Sequence, residues 1–179
     1  LYAWLETELR DPYIDVYESG ILPRLAEAKP DVIALSCPFS PQIGTGMMFA
    51  KIAKRHMPDV KIVMGGTGIA DHADLILKDP RFYEYIDFAL TGDGGEALPD
   101  LADALEGKRE FEGISALWRC EDGKVIEPDS FHQVNMNENP TPDYTDVNFS
   151  FYMLPEKTAI YTTSRGCYYG KCTFCSFDI

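Results

Sequence analysis

Three of the five cysteines in this sequence fall within nine residues near its end: Cys167, Cys172 and Cys175, with four residues between the first pair and two between the second. Soft thiolates at such spacing can wrap one iron–sulfur cluster from a single loop, and three ligands leave one iron open to a substrate or cofactor. Two other uses of the thiols stand beside this one. Zinc needs a fourth ligand, which Cys37, Cys120 or His132 could supply. A set with no metal role is the third, although reducing compartments rarely crowd thiols without use. The apolar run Ala159-Ile160-Tyr161 leads into the loop as a buried strand would, and Arg165-Gly166 turns the chain out of it.

A second group of candidates lies earlier, in three short loops: Ser36-Cys-Pro-Phe-Ser40, Gly65-Gly-Thr67 and Thr91-Gly-Asp-Gly-Gly-Glu96. Glycine lets a ligand approach the backbone, and a helix that follows directly offers free N–H groups to an anion. Such turns also serve strand-to-helix connections with no ligand at all, so each loop by itself carries both readings.

The elements that must position these loops are legible from periodicity. Leu1, Trp4, Leu5 and Leu9 have helical spacing, and Asp11-Pro12 ends that helix. Tyr13–Tyr17 alternates as a strand, and Ser19 is placed to cap a short helix bearing Leu22, Leu25 and Ala26. Val32–Ser36 is a continuous apolar run, which predicts a parallel strand buried on both faces. Ser40-Pro41 predicts an N-cap and first turn, opening a helix through Met47, Met48, Ile52 and Ala53 that closes on Lys54-Arg55-His56. A strand at Val60–Met64, a helix at Asp71–Lys78, a strand at Ile86–Leu90 and a helix at Glu96–Glu106 stopped by Gly107 follow. Strands and helices alternating at this pitch predict a doubly wound, parallel α/β sheet, Rossmann- or flavodoxin-like, whose ligands sit beyond the C-terminal strand ends. Ile114–Arg119 and Lys124–Ile126, joined by Glu121-Asp-Gly123, predict a hairpin. The predicted organisation is an α/β domain with its hairpin over 1–127, a linker over 128–156, and the start of a second domain with the cysteine loop over 157–179.

A net charge of −13 argues against an intrinsic nucleic-acid surface, which needs clustered Lys and Arg. No apolar run is long enough to span a membrane. The cysteine pattern suits a reducing cytoplasm better than a disulfide framework. Leu1 is not an initiator Met, and the sequence stops four residues past Cys175, so it reads as a piece of a longer chain that would not turn over alone. In a flavodoxin-like strand order, a further strand would sit between those at Tyr13 and Val32, either upstream of Leu1 or displaced.

Thr163-Ser-Arg-Gly-Cys167 followed by Cys172-Thr-Phe-Cys175 resembles the signature loop of radical S-adenosylmethionine (SAM) enzymes. The resemblance implies a [4Fe-4S] cluster on Cys167, Cys172 and Cys175, with SAM chelating the unique iron and Phe174 near its adenine. The commonest family spacing has three residues between the first two cysteines. Here Tyr168 to Lys171 make four, and Gly170, tolerant of φ > 0, is expected to absorb the extra one. Asp31–Ser36, Met57–Gly66 and Leu90–Pro99 in turn resemble the cobalamin-binding domain of a large class of these enzymes, and Pro142-Asp-Tyr144 resembles the connector to their barrel. That class implies cobalamin beside the three loops: Ser36 and Ser40 at the corrin edge or tail, Gly65, Gly66 and Thr67 at the nucleotide tail, and Gly92, Asp93, Gly94, Gly95 and Glu96 at its phosphate or ribose end. It also implies that residues 157–179 begin a partial (β/α) barrel. No Asp-x-His-x-x-Gly motif is present, so the cobalt is expected to lack a lower histidine ligand. The implied activity is reductive SAM cleavage to a 5′-deoxyadenosyl radical, for methylation or another modification of an unactivated carbon. Its implied partners are a small-molecule or peptide substrate and a one-electron donor such as a flavodoxin or ferredoxin. The alternative from another class is a non-catalytic flavodoxin-like module with a zinc- or cluster-bearing tail.

Overall fold

The computed structural model describes residues 1–7, 12–132, 135–173 and 175. The chain divides into two compact units, Leu1–Gln133 and Val134–Ile179. In the first unit a five-stranded sheet runs in the order β1 (Val32–Ser36), β2 (Lys61–Gly65), β3 (Phe88–Leu90), β4 (Leu117–Glu121), β5 (Lys124–Ile126). The first three strands are parallel; β4 and β5 add the predicted hairpin antiparallel to β3, and so belong to the same sheet. Asp122 and Gly123 turn the hairpin with φ of 49° and 75°, the left-handed pair that a two-residue turn requires.

Strand periodicity sorts the core onto two faces. Ile62, Met64, Ala89 and Trp118 join one cluster, whereas Val63, Phe88, Leu90 and Leu117 join the other. The larger cluster is covered by α4 (Pro41–His56), which buries Ile43, Met47, Met48, Phe49, Ala50, Ile52 and Ala53. Each of the Ile, Met and Phe side chains contributes about 1.5–3 kcal/mol of burial. α1 (Tyr2–Thr7) lies on α4, where Gly44 leaves room for the Trp4 ring and Lys51 Nζ donates to Leu5 O at 2.7 Å. The second face is covered by α7 (Gly94–Leu105) through Ala97, Leu101 and Ala104. Helices on both faces are what the alternation predicted. Among the described residues no helix is long and apolar enough to cross a membrane.

Several local expectations are corrected. Tyr13–Tyr17 is not a strand: α2 (Ile14–Val16), a π-helical turn at Tyr17–Ile21 and α3 (Leu22–Ala28) follow one another directly. Tyr13 and Tyr17 stack four residues apart, and Tyr17 meets Phe49 edge-on at 5.2 Å, so helical spacing prevails over alternation. Ser19 lies inside the π turn and bonds back to Asp15 O instead of capping. Among the described residues β1 pairs only with β2, and Ile33 is buried while Ala34 and Ser36 are exposed, so here the strand is not buried on both faces. The helix expected at Asp71–Lys78 is two pieces, α5 (Thr67–Ala70) and α6 (Ala73–Ile76). Gly66, at φ 104°, starts a helix directly off β2, and His72 breaks it by turning its ring back to Gly68 O.

In the second unit the one regular element described is a 3₁₀ turn, Phe149–Phe151, capped by Asn148 Oδ1, which accepts the Ser150 N–H. The run at 159–161 forms no strand, and Ile160 is 82 % exposed. A parallel strand exists only when neighbours complete its ladder, and an apolar run cannot supply them itself. The hydroxyl of Tyr144 donates to Ile160 O, tying the Pro-Asp-Tyr segment to this run.

One acidic residue absent from the sequence reading fastens the sheet. Asp87 Oδ2 accepts the Ile62 N–H at 2.8 Å and pairs with Lys54 Nζ at 2.7 Å, while Oδ1 is 3.3 Å from Lys61 Nζ. Asp87→Ala is expected to lower stability by about 1.5–3 kcal/mol, because it orphans an amide that met a charged acceptor. Asp87→Asn, which keeps that acceptor, should cost less; urea unfolding of the two variants measures the order.

Candidate functional site

All three predicted loops stand at the C-terminal ends of β1, β2 and β3, side by side along one edge of the sheet. The first two are knitted together. The Cys37 N–H donates to Gly65 O at 2.7 Å, the Gly68 N–H donates to Cys37 O at 3.0 Å, and Thr67 Oγ1 donates to Pro38 O at 2.7 Å. A Cβ on Gly66 would stand 2.7 Å from the Cys37 carbonyl carbon, and one on Gly68 would stand 2.7 Å from Cys37 O and from Phe39 C. These glycines therefore admit another strand's loop, and the hydroxyl of Thr67 is engaged within the protein. Ser40 precedes α4 as expected but does not cap it. Its own backbone is helical, Gln42 Oε1 accepts the Phe39 N–H instead, and Ser40 Oγ lies 3.5 Å from His72 Nδ1.

The third loop has a closed end and an open one. Thr91 N–H donates to Ala116 O at 3.1 Å, and Trp118 Nε1–H donates to Thr91 Oγ1 at 3.2 Å. A Cβ on Gly92 would lie 2.8 Å from Ala116 Cβ. Gly94, by contrast, meets nothing within 4 Å, and Gly95 meets only Asp93 Oδ1 at 3.8 Å. Asp93 precedes α7 without a side-chain cap bond, so the first turn presents exposed Gly94, Gly95 and Glu96. This open turn, an exposed Ser36 and Phe39, itself 69 % exposed, are the surfaces the edge offers to a ligand. Fixed backbone, an open helix start and an apolar ring suit a large amphipathic cofactor better than a small ion.

Sequence reasoning missed three parts of this edge. Gly68 and His72 lock the first two loops, and Ala116, with φ 53° and fully buried, braces the third. A left-handed alanine has no sequence signal. Cys37 is a small core residue: it is buried, its thiol directed to Gln42 O, and burial raises its pKa above the ordinary thiol value.

In the second unit Cys167, Cys172 and Cys175 occupy one loop. Gly170 has φ 52°, the left-handed conformation expected of it. Backbone N–H groups of Gly170 and Tyr169 point at the Cys167 sulfur and hold its thiol below the ordinary value. The Cys175 N–H donates to Cys172 O at 3.2 Å. By donor chemistry this set fits an iron–sulfur cluster, since stabilised thiolate is the ligating form. Its side chains are not gathered, however: among the described residues no three of His, Cys, Asp and Glu converge to hold a metal. All five cysteines are unpaired, and Phe174 lies outside the described residues.

The family model of the B12 binding domain matches residues 4–102. An uncharacterized methyltransferase of Pyrococcus horikoshii is 31 % identical over 167 residues, which is 92 % of this chain and 35 % of that protein. The cobalamin-dependent radical SAM methyltransferase TokK of Streptomyces tokunonensis is 27 % identical over 165 residues, 83 % of this chain and 22 % of that protein. The chain thus spans about a third and about a fifth of these relatives' lengths. Among solved structures, the apo form of OxsB, a cobalamin-dependent S-adenosylmethionine radical enzyme, shares the fold with a TM-score of 0.60, at 24 % identity over 88 % of this chain and 21 % of that one.

The glycines of the edge should separate in stability measurements. Gly66→Ala is expected to destabilise by about 2–4 kcal/mol, combining left-handed strain with overpacking against Cys37. Gly94→Ala should be neutral or stabilising by up to about 1 kcal/mol. For Cys37 the unfolded thiol ionises at lower pH than the folded one. Its contribution is therefore fully present below the ordinary thiol value and is lost as pH rises through the raised one. Thermal unfolding followed from about pH 8 to 10 should show an alkaline decline whose slope Cys37→Ala reduces.

Proposed function

The chain belongs to the B12-binding-domain family, and from that premise we propose that it is the cofactor-binding part of a cobalamin-dependent radical SAM methyltransferase. The match of the family model to residues 4–102, which covers most of the described sheet and all three loops, carries the reading. The similarity to TokK and the three cysteines of the 167–175 loop support its radical half.

In this reading the first unit binds cobalamin along the C-terminal strand edge. Ser36, Ser40 and Phe39 face the cofactor from the first loop, and Gly92 to Glu96 face it from the third. Gly65, Gly66 and Thr67 act from beneath, since their conformations hold the first loop in place. Cys167, Cys172 and Cys175 would hold a [4Fe-4S] cluster, with SAM at the open iron and Phe174 beside its adenine. When bound, these groups supply single electrons and a transferable methyl group; the chain's part is to bind, orient and exclude water. Gly170 and Tyr169 contribute by stabilising the Cys167 thiolate before any metal arrives. The substrate is a small molecule or peptide with an unactivated carbon, and the electrons come from a donor of flavodoxin or ferredoxin type in the cytoplasm.

Hydroxocobalamin titrated into the protein under anaerobic conditions should bind at one equivalent with a shifted visible spectrum. Reconstitution with iron and sulfide of the longer protein that carries this chain should yield a reducible cluster that cleaves SAM. Replacing Cys167, Cys172 and Cys175 together by Ala should abolish iron uptake and SAM cleavage while leaving cobalamin binding intact. Failure of the folded protein to bind cobalamin overturns the first half of the proposal. Cluster formation that survives the triple substitution overturns the second.

A further inference from the structure

Phe131 lies beyond the hairpin, in a segment with no regular structure, and the residue is 67 % exposed. Such a ring is ordinarily loose, yet this one is held at every neighbouring point. The Ala116 N–H donates to Ser130 O at 2.8 Å, and the His132 N–H donates to Ser115 Oγ at 2.8 Å. Just before it, the Asp129 carboxylate accepts the Gly113 N–H at 3.1 and 3.2 Å. The residue that receives this strap, Ala116, is in the left-handed region, which opposes any side chain bearing a Cβ. Ala116 O in turn holds Thr91, so the strap and the third loop share one anchor.

The ring rests against Gly92, where a Cβ would stand 3.3 Å from Phe131 Cε2 and 2.8 Å from Ala116 Cβ. Gly92 is thus the residue that lets the phenyl lie close to the third loop. A strained alanine, a glycine and three tethers fix one exposed aromatic ring at the ligand-binding edge of the sheet. Exposing that ring adds nothing to the stability of the domain. The arrangement makes sense as a platform, fixed in advance so that a ligand ring can stack without an ordering cost.

Resting on the cobalamin reading above, we propose that Phe131 stacks on the benzimidazole base of cobalamin and so selects corrinoids that carry a nucleotide tail. The choice of base over macrocycle follows from ligand chemistry. A corrin carries methyl and amide arms on both faces, which keep a phenyl ring off its plane. The benzimidazole is a bare arene, able to meet a single phenyl in an offset stack.

The test compares hydroxocobalamin with hydroxocobinamide, which has the same corrin and no nucleotide, on the wild-type protein and on Phe131→Ala, Phe131→Leu and Phe131→Tyr. The wild type should bind cobalamin more tightly than cobinamide. Phe131→Ala and Phe131→Leu should weaken cobalamin about tenfold to a hundredfold, the range for losing one aromatic stack. Both variants should leave cobinamide within about twofold of the wild type, and Phe131→Tyr, which keeps the flat ring, should bind as the wild type does. Circular dichroism and urea midpoints matching the wild type establish that the variants are folded. Equal wild-type affinity for the two corrinoids, unchanged cobalamin binding in Phe131→Ala, or equal loss of both ligands each overturns the stacking assignment while the cobalamin reading survives. A wild-type protein that binds neither corrinoid overturns both.

Discussion

The main chain of Cys37 is the constraint on which the C-terminal edge of the sheet depends. Its N–H continues the β1–β2 pairing one step past the strand end, and its carbonyl receives the Gly68 amide inside the first turn of α5. The two bonds can form only because Gly66 and Gly68 leave no Cβ to separate the chains. Side-chain closure over the thiol is similarly tight: at Gly46 a Cβ would lie 3.2 Å from the Cys37 sulfur and 3.0 Å from Met64 Cε. An edge so closely packed cannot adjust its backbone when a ligand arrives. What protrudes from it is Phe39, Ser36, Ser40 and the exposed start of α7.

The two ends of this edge are built by different means. At the first two loops, parallel strands bring successive crossovers together, and the chain closes on itself through main-chain bonds. At the third loop the neighbour is antiparallel β4, which starts at the edge directly after the strained Ala116 and runs away from it. The segment after the hairpin then returns to the same place and adds Ser130 and Phe131. A region read from composition as linker thus forms part of the wall beside the site. The second unit is organised by shorter-range forces: the Tyr144, Phe149 and Tyr152 rings approach one another, and Tyr144 reaches Ile160.

Legibility in the sequence varied with the range of the deciding interaction. The helix at Met47–Ala53 was readable because its apolar stripe repeats every three or four residues whatever it packs against. The Asp122-Gly123 turn was readable because few residues accept the required φ. Tyr13–Tyr17 was misread because alternation and helical spacing coincide over five residues, and only Phe49, more than thirty positions away, decides between them. The glycine loops were located correctly but their glycines were undifferentiated. Whether a glycine admits a ligand or a neighbouring carbonyl depends on a chain that approaches from elsewhere.

The sequence by itself determined the alternation of strands and helices, the three loops at the strand ends and the crowding of three thiols near Cys167. Each follows from residue type and short spacing, which act before the chain is folded. Tertiary structure alone decided that Gly66 and Gly68 are filled from within while Gly94 stays open, and that Phe131 is fastened beside Gly92. These outcomes require groups far apart in sequence to come within van der Waals or hydrogen-bond distance, a condition that no local pattern encodes.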